Sequence, residues 1–313
     1  MKRNNGAAPG SPGDAIYIAL TRGAVALMVL LGVGIVLSLT LNAWPSIRET
    51  GARFLVSAAW NPVTHDYGAL SSISGTIAST LIAMVIAVPL SLVIAFFLVE
   101  LAHPLVARPV SYAVELLAAI PSIIYGMWGL FVFAPFMADH VQPALGQILG
   151  FLPLFSGPPM GIGVLTSGII LSLMVLPFIT AVMRDVFSMV PGVVKEAAFG
   201  MGSTTLETAW KVTVQYGFSG LVGAVFLGLG RAVGETMAVT FVIGNAHRLS
   251  PSLFAPGNTI ASTLANEFTE ASEPLYLSAL IELGLVLFVM TLIIQVLAQL
   301  WIDRARKKAG GGL

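Results

Sequence analysis

The chain has 313 residues, of which 57% are hydrophobic and 10% are charged, whereas a soluble domain carries about 25% charged residues. A mean hydropathy of +0.91 therefore indicates a chain whose main solvent is the lipid bilayer. The net charge of zero argues against a nucleic-acid partner, and the absence of cysteine excludes disulfides, thiolate metal sites and a cysteine nucleophile.

Apolar runs long enough to cross a membrane define the predicted elements. A transmembrane helix needs about 20 predominantly apolar residues. Six stretches meet this requirement, at about residues 23–43, 70–99, 114–135, 164–183, 217–246 and 275–302. The first run is too long for the apolar region of a signal peptide, so we expect an uncleaved first span. The fold class predicted is all-α integral membrane, with a six-span domain over residues 23–302 between an N-terminal tail (1–22) and a basic C-terminal tail (303–313).

The distribution of basic residues predicts the orientation of these spans. Six spans place both termini on one side of the membrane. Of the 15 lysines and arginines, eleven fall on that side, three fall on the other, and Arg231 lies inside a span. Cytoplasmic loops carry the excess of basic residues, so we expect a multi-pass protein of the bacterial inner membrane with both termini in the cytoplasm.

In span three, Pro121 is followed directly by Ser122. Proline frees a backbone carbonyl and can break a helix, and transporter binding sites often use broken helices. Ser122 can therefore either satisfy the freed backbone or contact a substrate.

The longest cytoplasmic connection, residues 184–216, carries most of the charges in the middle of the chain. Pro191 can start a helix there, and Gly200 and Gly202 end it. A second helix is expected to begin at Ser203, Thr204 or Thr205, with Glu207 in its first turn. The pattern predicts a short helix–turn–helix, which is either a simple linker or a docking element for a soluble partner.

Span five contains "GLGRAVGETMAV" (228–239), in which Arg231 and Glu235 are four residues apart. In a continuous helix this spacing puts both side chains on one face. A charge inside the bilayer costs about 2.5–3.5 kcal/mol, so such residues usually face a bundle interior or a watery cavity. Gly230 and Gly234 form a GxxxG pattern that would allow another backbone to approach. The pair is either a structural ion pair or part of a substrate pathway.

Motifs for catalysis and for ATP hydrolysis are missing from the sequence. The chain contains no Gly-Lys pair, hence no Walker A loop, and no GxSxG. The four histidines show no metal-ligand spacing, so neither a metal nor a cofactor is expected. The sequence therefore predicts a protein that is not an enzyme and does not hydrolyse ATP itself.

The stretch "EAAFGMG" supplies Glu196, Ala197, Ala198 and Gly202 of the pattern E-A-A, three residues, G. It resembles the EAA loop through which permeases of binding-protein-dependent ABC importers dock onto their ATPase. The proline expected later in that pattern is replaced by Gln215. Three further stretches, at 118–135, 167–187 and 227–245, resemble the PstC-type permease subunit of phosphate-specific ABC importers. The resemblance covers about residues 70–300.

This resemblance implies a type I ABC importer permease fold and a transport function for inorganic phosphate. It implies a sister permease as heterodimer partner, two copies of a cytoplasmic ABC ATPase and an extracytoplasmic phosphate-binding protein. Arg231, Glu235 and Ser122 are then expected along the substrate pathway, with Arg231 binding phosphate through its planar fork. An ion-coupled secondary transporter, a permease for another oxyanion and a membrane scaffold or sensor remain as alternatives.

Overall fold

The computed structural model describes the backbone of residues 12–310 and the side chains of residues 13–304. Lys2, Arg3 and the side chains of residues 305–313 lie outside this part. The α-helices in chain order are α1 (Pro12–Thr50), α2 (Arg53–Val56), α3 (Leu70–Phe96), α4 (Pro104–Ala118), α5 (Ser122–Trp128), α6 (Ala134–Phe136), α7 (Gln142–Leu149), α8 (Val164–Ser188), α9 (Gly192–Gly200), α10 (Thr205–Thr208), α11 (Val214–Val233), α12 (Met237–Ile243), α13 (Ile260–Glu267) and α14 (Pro274–Gly310).

Several of these helices are joined end to end by short π-helical turns. The turns are Phe97–Leu101, Gly129–Phe133, Met137–Val141 and Ala209–Thr213, and a single 3₁₀ turn occupies Pro153–Phe155. Counted as continuous segments, six helices of the described part are long and apolar enough to span a membrane, at Gly13–Thr50, Leu70–Leu101, Ser122–Leu149, Val164–Ser188, Thr205–Val233 and Pro274–Arg304. The six-span, all-helical prediction is confirmed.

Span three differs in its position from the predicted range 114–135. The helix α4 ends at Ala118, and the membrane-length segment begins only at Ser122, with Pro121 as its N-terminal flanking residue. Proline has no backbone N–H and disfavours helical geometry in the residue before it, so the chain breaks here. The third span therefore runs further along the sequence, to Leu149.

Span five also differs, because the predicted helix 217–246 is not continuous. It begins earlier, at Thr205 in the connection predicted to be cytoplasmic, and ends at Val233. The chain leaves helical geometry at Gly234 and resumes as the short α12. The interruption separates Arg231 from Glu235.

The fourth span, α8, is the centre of the bundle, with two thirds of its most apolar stretch buried. It packs mainly against α3. The face that α3 buries carries a small residue at every fourth position, in the order Gly75, Ser79, Ala83, Ala87, Ser91 and Ala95. Small residues at this spacing let two helix backbones approach closely. The buried core around Leu171, Val175 and Ile179 is built on this contact.

The first helix, α1, lies at the edge of the molecule and packs against α14. Most of its length exposes large apolar side chains. Buried polar contacts join the two helices: the Ser46 hydroxyl donates to Glu282 Oε2 at 2.5 Å, and the Ser46 N–H donates to Ser278 Oγ at 3.0 Å. On the same side of the bundle, a two-residue hairpin pairs β1 (Trp60–Asn61) antiparallel with β2 (Asp66–Tyr67).

Candidate functional site

The break after α11 changes the relation between the two charged residues of span five. Arg231 lies in the last turn of α11, whereas Glu235 follows the end of that helix at Gly234. The expectation that both share one face of a continuous helix is therefore wrong. The structure shows no ion pair between them among the described side chains. Glycine loses more entropy than any other residue in a helix, so Gly234 is a natural place for the helix to end.

The Arg231 side chain is exposed and lies over one aromatic ring. Its guanidinium carbon is 5.4 Å from the centroid of the Phe178 ring on α8, a cation–π contact. Within residues 13–304 no carboxylate is close enough to neutralise it. The sequence did not indicate Phe178, because nothing local distinguishes this phenylalanine from the others in an apolar span.

Glu235 has a role in the local structure. Its Oε1 accepts a hydrogen bond from the backbone N–H of Ala238 at 3.2 Å, and its own N–H donates to Ala232 O at 3.3 Å. The residue thus connects the end of α11 to the beginning of α12. The carboxylate is half-buried and is directed to the backbone rather than to Arg231.

The two interrupted helices pack directly against each other. A Cβ on Gly126 of α5 would lie 2.9 Å from Met237 O and 3.1 Å from Ala238 Cα, so the backbones of α5 and α12 are in close contact. The Tyr125 hydroxyl donates to Leu117 O at 3.0 Å and links the two sides of the α4–α5 break. Ser122 is the first residue of α5, about one turn before Tyr125, and its side chain is half-buried. Irregular backbone at this depth is tolerated where it is buried in protein or lines a cavity.

The GxxxG interpretation of Gly230 and Gly234 is not supported by the structure. A Cβ on Gly230 would lie 2.6 Å from Gln295 Nε2, so the neighbour of this glycine is a side chain of α14 in the same chain. Gly234 has a different role, because it ends α11. The two glycines of the GxxxG pattern therefore have different roles in the structure.

The connection of residues 184–216, predicted to be cytoplasmic, forms the predicted helix–turn–helix. Pro191 precedes α9, and Gly202 follows it with a φ of +86°, a conformation that glycine adopts without strain. The next helix begins with a capping box, in which the Thr204 hydroxyl accepts from the Glu207 N–H while the Glu207 carboxylate accepts from the Thr204 N–H. Gln215 lies inside α11, so the helix continues through the position where the family pattern has proline.

Among the predicted EAA residues, Glu196 and Ala197 are exposed on α9 and Ala198 is buried. The neighbouring Lys195 is anchored to the end of span two, with its Nζ 2.6 Å from Glu100 Oε1 in a largely buried ion pair. Exposed apolar side chains surround this helix, and together we call them the coupling surface: Met189, Val193, Phe199, Met201, Leu206 and Trp210. Patches of this kind mark contacts with another protein or with lipid.

No family model matches the chain, but curated relatives do. The chain is 52% identical over 301 residues to the phosphate transport system permease protein PstC of Mesorhizobium japonicum, covering 95% of this chain and 92% of the relative. It is 51% identical to the PstC protein of Pasteurella multocida, with 95% and 94% covered. A probable PstC protein of Methanocaldococcus jannaschii is 38% identical, with 85% and 86% covered.

Solved structures with a similar fold are ABC transporters. A chain of an alginate ABC transporter, solved in complex with a pentasaccharide-bound periplasmic protein, superposes with a TM-score of 0.62 at 14% identity, covering 94% of this chain and 95% of that chain. A chain of the inward-facing MetNI methionine ABC transporter gives a TM-score of 0.53 at 18% identity, with 76% and 94% covered. These similarities establish an ABC-transporter permease fold.

Proposed function

Because the chain belongs to the PstC family of phosphate transport system permease proteins, we propose that the interrupted helices around Arg231 form its part of the phosphate pathway. The chain is a permease subunit of an ABC phosphate importer and a multi-pass protein of the inner membrane. Family membership thereby selects one of the functions that the sequence left open.

The main support for Arg231 is its lack of a carboxylate partner in the part of the chain that the structure describes. A cation inside a bilayer is costly unless it has a partner or faces water. Its side chain is exposed, and its guanidinium lies over the Phe178 ring. A phosphate oxyanion supplies the missing charge, and the planar guanidinium binds two of its oxygens at once.

Glu235 and Ser122 complete the proposed pathway. In this conformation the Glu235 carboxylate is held by the Ala238 N–H, so Arg231 is open to an anion. When phosphate is absent, a rotation of Glu235 towards Arg231 closes the pathway by occupying the guanidinium. Ser122 lies at the opposite break and offers its hydroxyl to a phosphate oxygen. Among described side chains the Ser122 hydroxyl has no hydrogen-bond partner of its own.

The energy for transport comes from ATP hydrolysis in a partner chain, because this chain has no Walker A loop. The coupling surface and the EAA residues Glu196, Ala197, Ala198 and Gly202 dock onto that ATPase. Two copies of the ATPase serve a heterodimer of this chain with a sister permease, and the phosphate-binding protein docks on the opposite, extracytoplasmic side. Both termini are in the cytoplasm.

Phosphate uptake by the reconstituted importer tests the pathway. Arg231→Ala should lower uptake at least about tenfold, because a hydrogen bond to a charged group contributes about 1.5–3 kcal/mol. Arg53→Gln, which removes an exposed arginine paired with Asp66, is the matched control and should leave uptake unchanged. The exchange variant Arg231→Glu with Glu235→Arg should remain inactive. Restored uptake in the exchange variant would show a structural ion pair instead, and unchanged uptake in Arg231→Ala would exclude the pathway.

ATPase association tests the docking role separately. Glu196→Lys places the opposite charge on an exposed position of α9, and we expect it to weaken co-purification of the ATPase and to lower ATP-dependent uptake several-fold. Glu49→Lys is the control, since Glu49 is also exposed but lies in the last turn of α1 and not in the connection. Unchanged association and uptake in Glu196→Lys would contradict docking through this helix. Uptake that continues without ATP but stops with the ion gradient would contradict ATP coupling itself.

A further inference from the structure

A groove of about 580 Å³ lies between α1, α3 and α14. Apart from Glu282, every side chain that lines it is apolar, and Ile47 of α1 and Ile77 of α3 face the residues of α14 across it. Ile77 and Ile293 are 52% and 53% exposed, so the groove is open on a surface that the bilayer covers. Its volume lies within the range of about 300–1,000 Å³ that is typical of small-molecule sites.

The length of the groove matches one leaflet of the membrane. It follows α14 from Glu282 to Ile294, over which a helix rises about 18 Å at about 1.5 Å per residue. One leaflet of the hydrocarbon core is about 15 Å deep, which is half of about 30 Å. Glu282 lies about two turns after Pro274, where α14 leaves a loop that is predicted to be extracytoplasmic. The groove therefore belongs to the outer leaflet, with Glu282 at its polar end.

A second apolar groove adjoins the first. It has a volume of about 300 Å³ and lies between α3, α11 and α14. Both grooves are lined by Ile77, Met290 and Ile294, which form the ridge between them. Two adjoining apolar grooves fit the two acyl chains of a single phospholipid.

Glu282 is the one charged side chain among the described residues that line the two grooves. It is only 7% exposed and forms no ion pair within residues 13–304. Its Oε2 accepts from the Ser46 hydroxyl, whereas its Oε1 accepts no hydrogen bond from a described residue and is open to the groove. A buried carboxylate without a cation is costly, so this end of the groove lacks a cationic partner.

The contact between α1 and α14 fixes the position of this carboxyl group. Ser46 and Ser278 are both buried, and the Ser46 N–H donates to Ser278 Oγ at 3.0 Å. The Ser278 hydroxyl in turn donates to Asn42 O at 2.9 Å. These hydrogen bonds enclose the Oε2 side of Glu282, so a ligand reaches the carboxyl from the groove and has to donate to Oε1.

We propose that the two grooves bind one membrane phospholipid whose headgroup carries a primary ammonium, as in phosphatidylethanolamine. The ammonium donates to Glu282 Oε1, and the two acyl chains lie on either side of the ridge formed by Ile77, Met290 and Ile294. Choline has no N–H to donate, and phosphatidylglycerol has no cation, so neither headgroup satisfies this carboxylate. The lipid fills the space between α1 and α3 and holds the first helix against the bundle. The site does not depend on which ion is transported.

Native mass spectrometry of the complete, detergent-purified importer tests the headgroup. Phosphatidylethanolamine, phosphatidylcholine and phosphatidylglycerol with identical acyl chains are added in equal amounts, and the first should be retained at least about tenfold more tightly. Glu282→Gln should remove this preference, whereas Glu49→Gln, at an exposed position of α1, should keep it. Glu282→Gln should fold as well as the parent, because it keeps an acceptor for Ser46 and removes a buried charge. Equal retention of the three lipids by the parent, or an unchanged preference in Glu282→Gln, would overturn the proposal.

Filling the groove tests its location. Val289→Trp places a large side chain in the groove and should lower retention of phosphatidylethanolamine, whereas Leu297→Trp, at an exposed position of α14 outside the lining, should not. Unchanged retention in Val289→Trp would contradict binding at this place.

Photo-crosslinking in native membranes identifies the occupant. A benzophenone amino acid in place of Ile293, an exposed residue of the lining, should crosslink to phospholipid. The same probe in place of Leu297 is the control for general contact with the bilayer, and its yield of phosphatidylethanolamine relative to other lipids should be lower. A crosslink from position 293 to another protein chain of the importer, in place of lipid, would overturn the proposal and assign the groove to a subunit interface.

Discussion

At the scale of single residues, the external loops show how little of a side chain's role is visible in the sequence. Glu267, Glu270 and Glu273 form one acidic cluster in the sequence, but the structure gives them different environments. Glu267 accepts from Trp60 Nε1 at 2.6 Å and from the Tyr276 hydroxyl, and it lies 2.8 Å from His247 Nε2. Glu273 pairs with His65 at 3.3 Å, whereas Glu270 is exposed. Of the three, Glu267 has the most side-chain partners, and they come from separate segments of the chain.

This difference predicts a pH-dependent contribution of Glu267 to stability. Burial alone would raise the pKa of the Glu267 carboxyl, but hydrogen bonds from its neighbours, His247 first, outweigh burial and hold the pKa below its ordinary value of 4.5. A carboxylate with a lowered pKa stabilises the fold above its ordinary pKa, and that contribution is lost as the pH falls through the folded value. Glu267→Gln should therefore lower the Tm of the detergent-purified importer at pH 7, and the difference should shrink below pH 4.5. Glu270→Gln serves as the control, and an equal Tm loss in both variants would contradict the prediction.

At the scale of elements, the sequence predicted which segments are helical, but it predicted only some of the points at which a helix is interrupted. Pro121 indicated a break before the structure located it, because proline disturbs the backbone wherever it occurs inside a helix. Gly234 gave no such signal. A glycine can equally pack against a neighbour or end a helix, and the choice depends on what lies next to it. Here the contact between α5 and α12 at Gly126 stabilises the geometry that follows the break.

Substitution of glycines by alanine tests this element contact. A Cβ at Gly126 would meet backbone atoms at 2.9 and 3.1 Å, which cannot move aside easily, so Gly126→Ala should destabilise by about 1–3 kcal/mol and lower phosphate uptake. Gly223→Ala, on α11, meets nothing within 4 Å and should be neutral or stabilising by up to about 1 kcal/mol. Thermal unfolding and uptake of both variants measure the difference. Equal stability would show that α5 and α12 are not in close contact.

At the scale of the whole molecule, burial is distributed unevenly across the six spans. The central α8 is largely enclosed, whereas the most apolar stretch of α1 is entirely exposed within the chain. A permease subunit works in an assembly, so faces that are open here meet lipid or partner chains. The coupling surface lies at one end of the bundle and the loop with Arg248 is predicted to lie at the other, which orients the molecule relative to its proposed partners.

Cysteine labelling tests this orientation, because the natural chain contains no cysteine. Val63 and Met201 are 87% and 82% exposed and lie in opposite predicted compartments. A membrane-impermeant maleimide should label Val63→Cys in intact spheroplasts and Met201→Cys only after permeabilisation. The unsubstituted chain is the background control. The reverse labelling pattern would place both termini outside the cytoplasm.

The sequence by itself determined the number of spans, the helix–turn–helix with Glu207 in the first turn of its second helix, and the family, and it predicts the orientation; the structure selected Thr204 as the N-cap. Partition of a helix into lipid depends only on the apolar run that forms it, and a helix cap depends on two residues three positions apart. Spans and caps are therefore encoded locally in the sequence. Only the tertiary structure decided that Arg231 stands apart from Glu235 and that Ile47, Ile77 and Glu282 line one groove. Those relations join residues that are distant in the chain or separated by a helix break. They depend on how the helices pack, which no local pattern records.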